Sequence, residues 1–339
     1  DEGDNNKMNW GKKIHFVTLA VFIILLTLVL SRMDLGKSWD ALTGVEWGGV
    51  ICVMLLNILN TGVEAVRWRL ILLSVKKGVR VYNTFTAILV GVVGNIILPF
   101  RIGDGARTYF LAREEKIDLA SSFSTVVLDR IADIAIFLML VALTTFFFPF
   151  PLSIKRTGLL AGGAFVVVVF VLITLMRLSQ SLGSKFRGKL GRRVSNSISR
   201  FTRSLSALRH SGRLLSISLL SAFSWLVKLA MVHAMFRAFH LTLPLIAGAV
   251  VLVFVNLGIS IANTPANLGG FELSTVAALK LFSVDIELAV SYAITLHLVE
   301  VIPTLLMGLV VLWFTGFKSS KLPGHTTTAD PSEPLEVNY

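Results

Sequence analysis

The 339-residue chain has one cysteine, six histidines and few charged residues, 15% of the total. A single cysteine, Cys52, cannot close an internal disulfide, so cysteine usage says nothing about compartment. The histidines are scattered and never pair with carboxylates at metal-ligand spacing. There is no Gly-x-Ser-x-Gly nucleophile turn and no phosphate-binding P-loop. A metal, another cofactor, serine-nucleophile hydrolysis and ATP-driven transport are therefore not expected. "DGAR" at Asp104–Arg107 shares residue types with the phosphatidyl-transferase motif, but at the wrong spacing and without its paired aspartates. Catalysis remains only as a minor alternative, through intramembrane acids such as Asp104 and Asp133.

The scarcity of charge excludes an ordinary soluble surface. Hydrophobic residues make up 54% of the chain, and mean hydropathy is +0.76. About 20 apolar residues cross the hydrocarbon as a helix, and such runs recur over 14–31, 47–74, 119–147, 158–177, 214–239 and 285–315. The chain reads as an all-α polytopic membrane protein. Its net charge of +12 fits cytoplasmic loops rather than nucleic acid. Segment 178–213 has nine basic residues and no acid, and reads as a basic cytoplasmic loop on anionic lipid. The 1–13 and 318–339 tails are polar. Val29 and Ser31 give no convincing leader cleavage site, so 14–31 is expected to be a retained helix.

Two further apolar runs, 84–98 and 245–262, each end in a Pro/Gly segment followed by a short helical stretch, 104–116 and 270–282. If both turn back within the membrane from opposite faces, six spans place both termini and both basic loops inside. Six spanning helices with two opposed re-entrant hairpins are therefore expected, with eight or more spans as the alternative. The hairpins resemble each other. Pro99 and Pro265 each precede a glycine, Gly103 and Gly269, and "IDLASSF" at 117–123 parallels "IELAVSY" at 286–292. Arg130 and Asp133 have counterparts in His297 and Glu300. The order implies an inverted repeat with halves at about 47–147 and 214–315 inside a 14–317 membrane domain, an architecture that places sites at broken helices.

Charges inside these runs are costly and face a bundle interior. Asn57, Asn60, Glu64 and Arg67 share a helix face. Asp129 and Asp133 are i,i+4 with Arg130 beside them, Lys228 is mid-run, and His297 and Glu300 are i,i+3. Asp133 and Glu300 are expected either to be neutralised by a cation or to take a proton. Arg130 is the neighbour of Asp133, and His297 is one turn from Glu300 and could share its proton. The two carboxylates are the candidate coupling sites if transport is proton-coupled. Asp104 is expected to cap the helix after the first break, whose N-terminus, with Arg101 and Arg107, suits a phosphate.

"GNIILPFRIGDGARTYFLARE", "ASSFSTVVLDRIADI" and "NTPANLGGFELSTVAAL" resemble the transmembrane region of the lysylphosphatidylglycerol synthases over about residues 12–316. The resemblance implies a lipid substrate. In the full synthases this region is implicated in flipping an aminoacylated lipid, while a separate soluble domain performs lysyl transfer. Lysyl transfer is not expected here. Carried over residue by residue, the resemblance marks Arg101, Asp104, Arg107, Asp129, Arg130, Asp133 and Glu272. Two functions are weighed: a translocator of anionic or lipid-linked headgroups that uses Arg101, Arg107 and Lys228, and an accessory subunit of a lipid- or glycan-modifying enzyme. The expected location is a prokaryotic cytoplasmic membrane.

Overall fold

The computed structural model describes residues 43–97, 102–150, 163, 212–262 and 264–315. The expected spans 14–31 and 158–177, the basic segment 178–213, both tails, and the break residues Pro99 and Arg101 lie outside the described residues. Within the described residues the fold is wholly helical, with eight α-helices and one short 3-10 turn. They are α1 (Trp47–Leu72), α2 (Val81–Ile97), α3 (Gly103–Glu114), α4 (Leu119–Phe147), α5 (Arg213–Ala238), α6 (Leu245–Ala262), α7 (Gly270–Lys280) and α8 (Ile286–Thr315), with the 3-10 turn at Pro265–Asn267. Among the described residues, three helices (α1, α5 and α8) are long and apolar enough to cross a membrane. The α4 helix has 29 residues, about 43 Å at 1.5 Å per residue, but carries Asp129, Arg130 and Asp133 in its first half. Together these helices make a polytopic membrane fold.

The two halves are built alike and run in opposite directions. The equivalent helices α1 and α5 pack antiparallel. Gly49 lies against Ala238, Asn60 meets Ser224, Arg67 meets Ser221, and Leu73 accepts from Arg213. In each half an apolar helix folds back against the short helix that follows it, α2 on α3 and α6 on α7. Glycines permit both close approaches. A Cβ at Gly103 would collide with the Gly91 carbonyl, and one at Gly258 would lie 2.9 Å from the Gly270 carbonyl and 2.8 Å from Ser274 Cβ. Gly91, Gly103 and Arg107 are thus matched at one spacing by Gly258, Gly270 and Ser274. The structural counterpart of Gly103 is Gly270 rather than the expected Gly269, a difference of one residue at the break.

The second break is resolved in detail. The α6 helix stops at Ala262, and Ala266 and Asn267 adopt positive φ (51° and 60°). α7 then restarts behind Gly269, whose N–H donates to Glu272 Oε2 at 2.8 Å. Such irregular backbone is tolerated at membrane depth only when buried in protein or lining a wet cavity. Here the 3-10 turn packs on α2 of the other half.

Two apolar cores hold the helices. One gathers Val53, Met235, Phe236, Tyr292 and Leu296; the other gathers Trp68, Ile71, Leu72, Leu111 and Val126. Along α1 the first core ends near Val53 and the second begins at Ala65. Between them lies the polar face from Asn57 to Glu64, so the polar band falls near the middle of the helix, about 12–15 Å from either end. Leu55, Leu59, Leu219, Leu226, Leu306 and Val310 are exposed on the outside of the same helices, where lipid would cover them.

Candidate functional site

The polar band contains two groups of charges. The first centres on Arg67, whose side chain is almost completely buried. Its Nε donates to Asp129 Oδ1 at 2.9 Å, and its Nη1 donates to Asp133 Oδ1 at 2.8 Å and to Ser221 Oγ at 3.3 Å. The i,i+4 spacing of the aspartates on α4 sets both carboxylates before one guanidinium. Arg130 points the other way and grips Asp104, at 2.8 and 2.9 Å to its two oxygens. Arg107 stacks on Trp68 at 5.0 Å and lies 3.3 Å from Asp104 and 3.7 Å from Asp129. Its buried Nε and Nη2 make no hydrogen bond. Lys228 meets Glu64 at 3.1 Å, and Asn60 donates to the same carboxylate oxygen at 3.0 Å.

Several sequence expectations are corrected by these contacts. Asp133 is bonded by Arg67, not by its neighbour Arg130, whose guanidinium is taken up by Asp104. Asp104 is not the N-cap of α3. The helix begins at Gly103 behind Ile102, and Asp104 sits inside the first turn with its carboxylate held by Arg130. Lys228 is not a free cation waiting for a phosphate. In this group Glu64, Asp104, Asp129 and Asp133 balance Arg67, Arg107, Arg130 and Lys228.

The second group lies at the break between α6 and α7. One ring nitrogen of His297, Nδ1, is 2.6 Å from Glu272 Oε1, and the other, Nε2, is 2.8 Å from the Ala266 carbonyl. Both partners are acceptors. The ring therefore either donates from both nitrogens as imidazolium or shares the extra proton with Glu272. Phe271 stacks on the ring at 4.4 Å. His297 is accordingly not the partner of Glu300, since both of its nitrogens are engaged with the α7 side of the break. The pair is the counterpart of Arg130–Asp104: in each half, the long helix reaches to the acid in the first turn of the short helix.

A cavity of about 190 Å³ lies where the halves meet. It is lined by Asn57 and Asn60 of α1, Lys228 of α5, Asn256 of α6, Asn267 of the break and Glu300 of α8. Of the expected site residues, Lys228 and Glu300 line it directly. Glu272 lies just behind Phe271, and Arg107 and Asp104 belong to the adjoining ion-pair group. Sequence reasoning did not single out Asn256 or Asn267, because an asparagine near a helix break reads equally well as turn chemistry. Arg67 was placed on the polar face but not in the site.

At the edge of the bundle, outside the spanning segments, Glu115 is buried. Burial pushes its carboxyl up, but hydrogen bonds from Asn83 (2.7 Å) and Lys76 (3.0 Å) outweigh this and hold it below the usual carboxylate range.

Known proteins share this chain's pattern. A UPF0104 membrane protein of Methanothermobacter thermautotrophicus is 24% identical over 278 residues, covering 75% of this chain and 82% of that protein. Two UPF0104 membrane proteins of Methanocaldococcus jannaschii also match. One is 30% identical over 124 residues, covering 36% of this chain and 37% of that protein. The other is 23% identical over 219 residues, covering 65% and 92%. The profile described as lysylphosphatidylglycerol synthase TM region matches residues 15–308, which include both hairpins and both charge groups, and the chain belongs to that family.

Proposed function

We propose that the protein moves a phosphate-bearing lipid headgroup between leaflets and acts as a carrier rather than an enzyme. The observation that carries this reading is the cavity at mid-depth, lined by polar and apolar residues of both halves of an inverted fold and bordered by Lys228. Transporters of inverted-repeat design place their sites there, beside discontinuous helices. The Lys228–Glu64 pair is the natural point of entry. Its side chains remain about a quarter exposed, whereas Arg67 and Asp129 are almost wholly buried. A headgroup phosphate would compete with Glu64 for Lys228; once displaced, Glu64 keeps its hydrogen bond from Asn60 but needs a proton or another cation to balance its charge. The acyl chains would stay among the apolar outer faces. The basic 178–213 segment and both termini are placed on the cytoplasmic side of a prokaryotic cytoplasmic membrane, where basic loops gather.

The test is reconstitution of purified protein into liposomes with a fluorescent anionic phospholipid, followed by chemical quenching of the outer leaflet. Protein-dependent access to inner-leaflet lipid is expected. Vesicles that behave like protein-free controls, with activity restored only by a partner enzyme, would replace the carrier with an accessory subunit.

A further inference from the structure

The paired charges leave one group over. Glu300 lines the cavity, and among the described residues its carboxylate has neither an ion pair nor a hydrogen bond. Its charged surroundings are fully accounted for. Lys228, across the cavity on α5, is held by Glu64, and His297, one turn earlier on α8, is held by Glu272 and the Ala266 carbonyl. A carboxylate at this depth needs a positive charge.

The amides beside it are already oriented. The Asn57 amide nitrogen donates to the backbone carbonyl of Glu300 at 2.7 Å, and that of Asn256 donates to the Leu252 carbonyl at 2.8 Å. With its nitrogen turned to the Val299 and Glu300 carbonyls, Asn57 keeps its amide oxygen available, and Asn256, which donates one hydrogen bond to Leu252, has an oxygen to offer as well. On the side of the cavity away from Lys228, the Glu300 carboxylate and the two amide oxygens are hard oxygen donors. Such donors suit an alkali cation rather than an anion or a transition metal.

We propose that this cavity binds a monovalent alkali cation, with Glu300 supplying the charge and Asn57 and Asn256 supplying neutral oxygens. The cation makes the band neutral and couples its occupancy to the ion gradient. This deepens the carrier reading, but it is tested by binding alone, so failure of transport and failure of binding are separate results.

The experiment is thermal unfolding of the purified, detergent-solubilised chain at fixed pH and constant ionic strength, with sodium replacing choline stepwise. Saturable stabilisation by sodium is expected, absent in Glu300→Gln and with a midpoint shifted about tenfold in Asn256→Ala. Asn256→Ala keeps the question answerable if Glu300→Gln does not fold. Unfolding temperatures that ignore sodium, or an unchanged sodium response in Glu300→Gln, overturn the proposal. Stabilisation by lowering pH alone, with no sodium response, also overturns it and assigns the missing charge to a proton.

Discussion

The two halves carry the same device in different states of completion. In the first half, Arg130 crosses from the long helix to Asp104 in the short one, and behind this pair Arg67 binds two aspartates in a nearly dry pocket. In the second half, His297 crosses to Glu272 in the same way, but behind that pair Glu300 faces a cavity that Lys228 also lines. Where Arg67 has filled the polar centre from within the chain, the bundle is closed and tightly held. Where, among the described residues, no cation bonds the counterpart carboxylate, that group is left to an outside partner. An inverted repeat can thus devote one half to holding the fold and the other to a ligand.

The largest effect expected from this contrast is at Arg67. Arg67→Met leaves Asp129 and Asp133 without their shared cation, and breaking such a buried pair costs roughly 3–5 kcal/mol. Loss of monodisperse protein and a large drop in unfolding temperature are expected. Partial recovery should follow when Asp129→Asn and Asp133→Asn are added. A single variant as stable as the wild type would remove the contrast between the halves.

The equivalence of the two crossing pairs can be sharpened by double-mutant cycles on unfolding temperature. Asp104→Asn with Arg130→Gln, and Glu272→Gln with His297→Gln, should each give a favourable coupling of about 0.5–3 kcal/mol. A coupling in only one half would mean that the resemblance is geometric but not energetic.

The smallest effect lies outside the membrane. The folded state holds the Glu115 carboxyl below its usual range, so its contribution to stability is complete above the ordinary carboxylate pKa. That contribution is lost as pH falls through the lower folded value. The stability gap between wild type and Glu115→Gln should be flat near neutral pH and shrink in acid. A gap that widens in acid would contradict the assignment.

Much of this was legible in the sequence because membranes leave few choices. Apolar length gave α1, α5 and α8, and Pro/Gly punctuation gave both hairpins. The polar stripe from Asn57 to Arg67 gave the face that meets the cavity. The pairings were not legible. Arg67 finds aspartates 62 and 66 residues away, and Asn60 finds Ser224 164 residues away. Local spacing instead suggested Arg130 with Asp133 and His297 with Glu300. Helical neighbours three residues apart can equally well diverge toward different partners, and which partner wins is decided by packing between helices. The Asp104 cap failed for a related reason: the first turn of α3 packs closely against α2 at Gly103, and the N-cap falls on Ile102, two residues before Asp104.

The central claim is that the cavity beside Lys228 carries the headgroup while the buried ion pairs carry the fold. It is tested most directly by lipid movement in liposomes containing Lys228→Met combined with Glu64→Gln, a change that removes the cavity cation without stranding its partner. Unfolding close to that of the wild type together with a rate at least about tenfold lower is the expected result. A variant that is equally well folded and moves lipid at the wild-type rate would contradict the account.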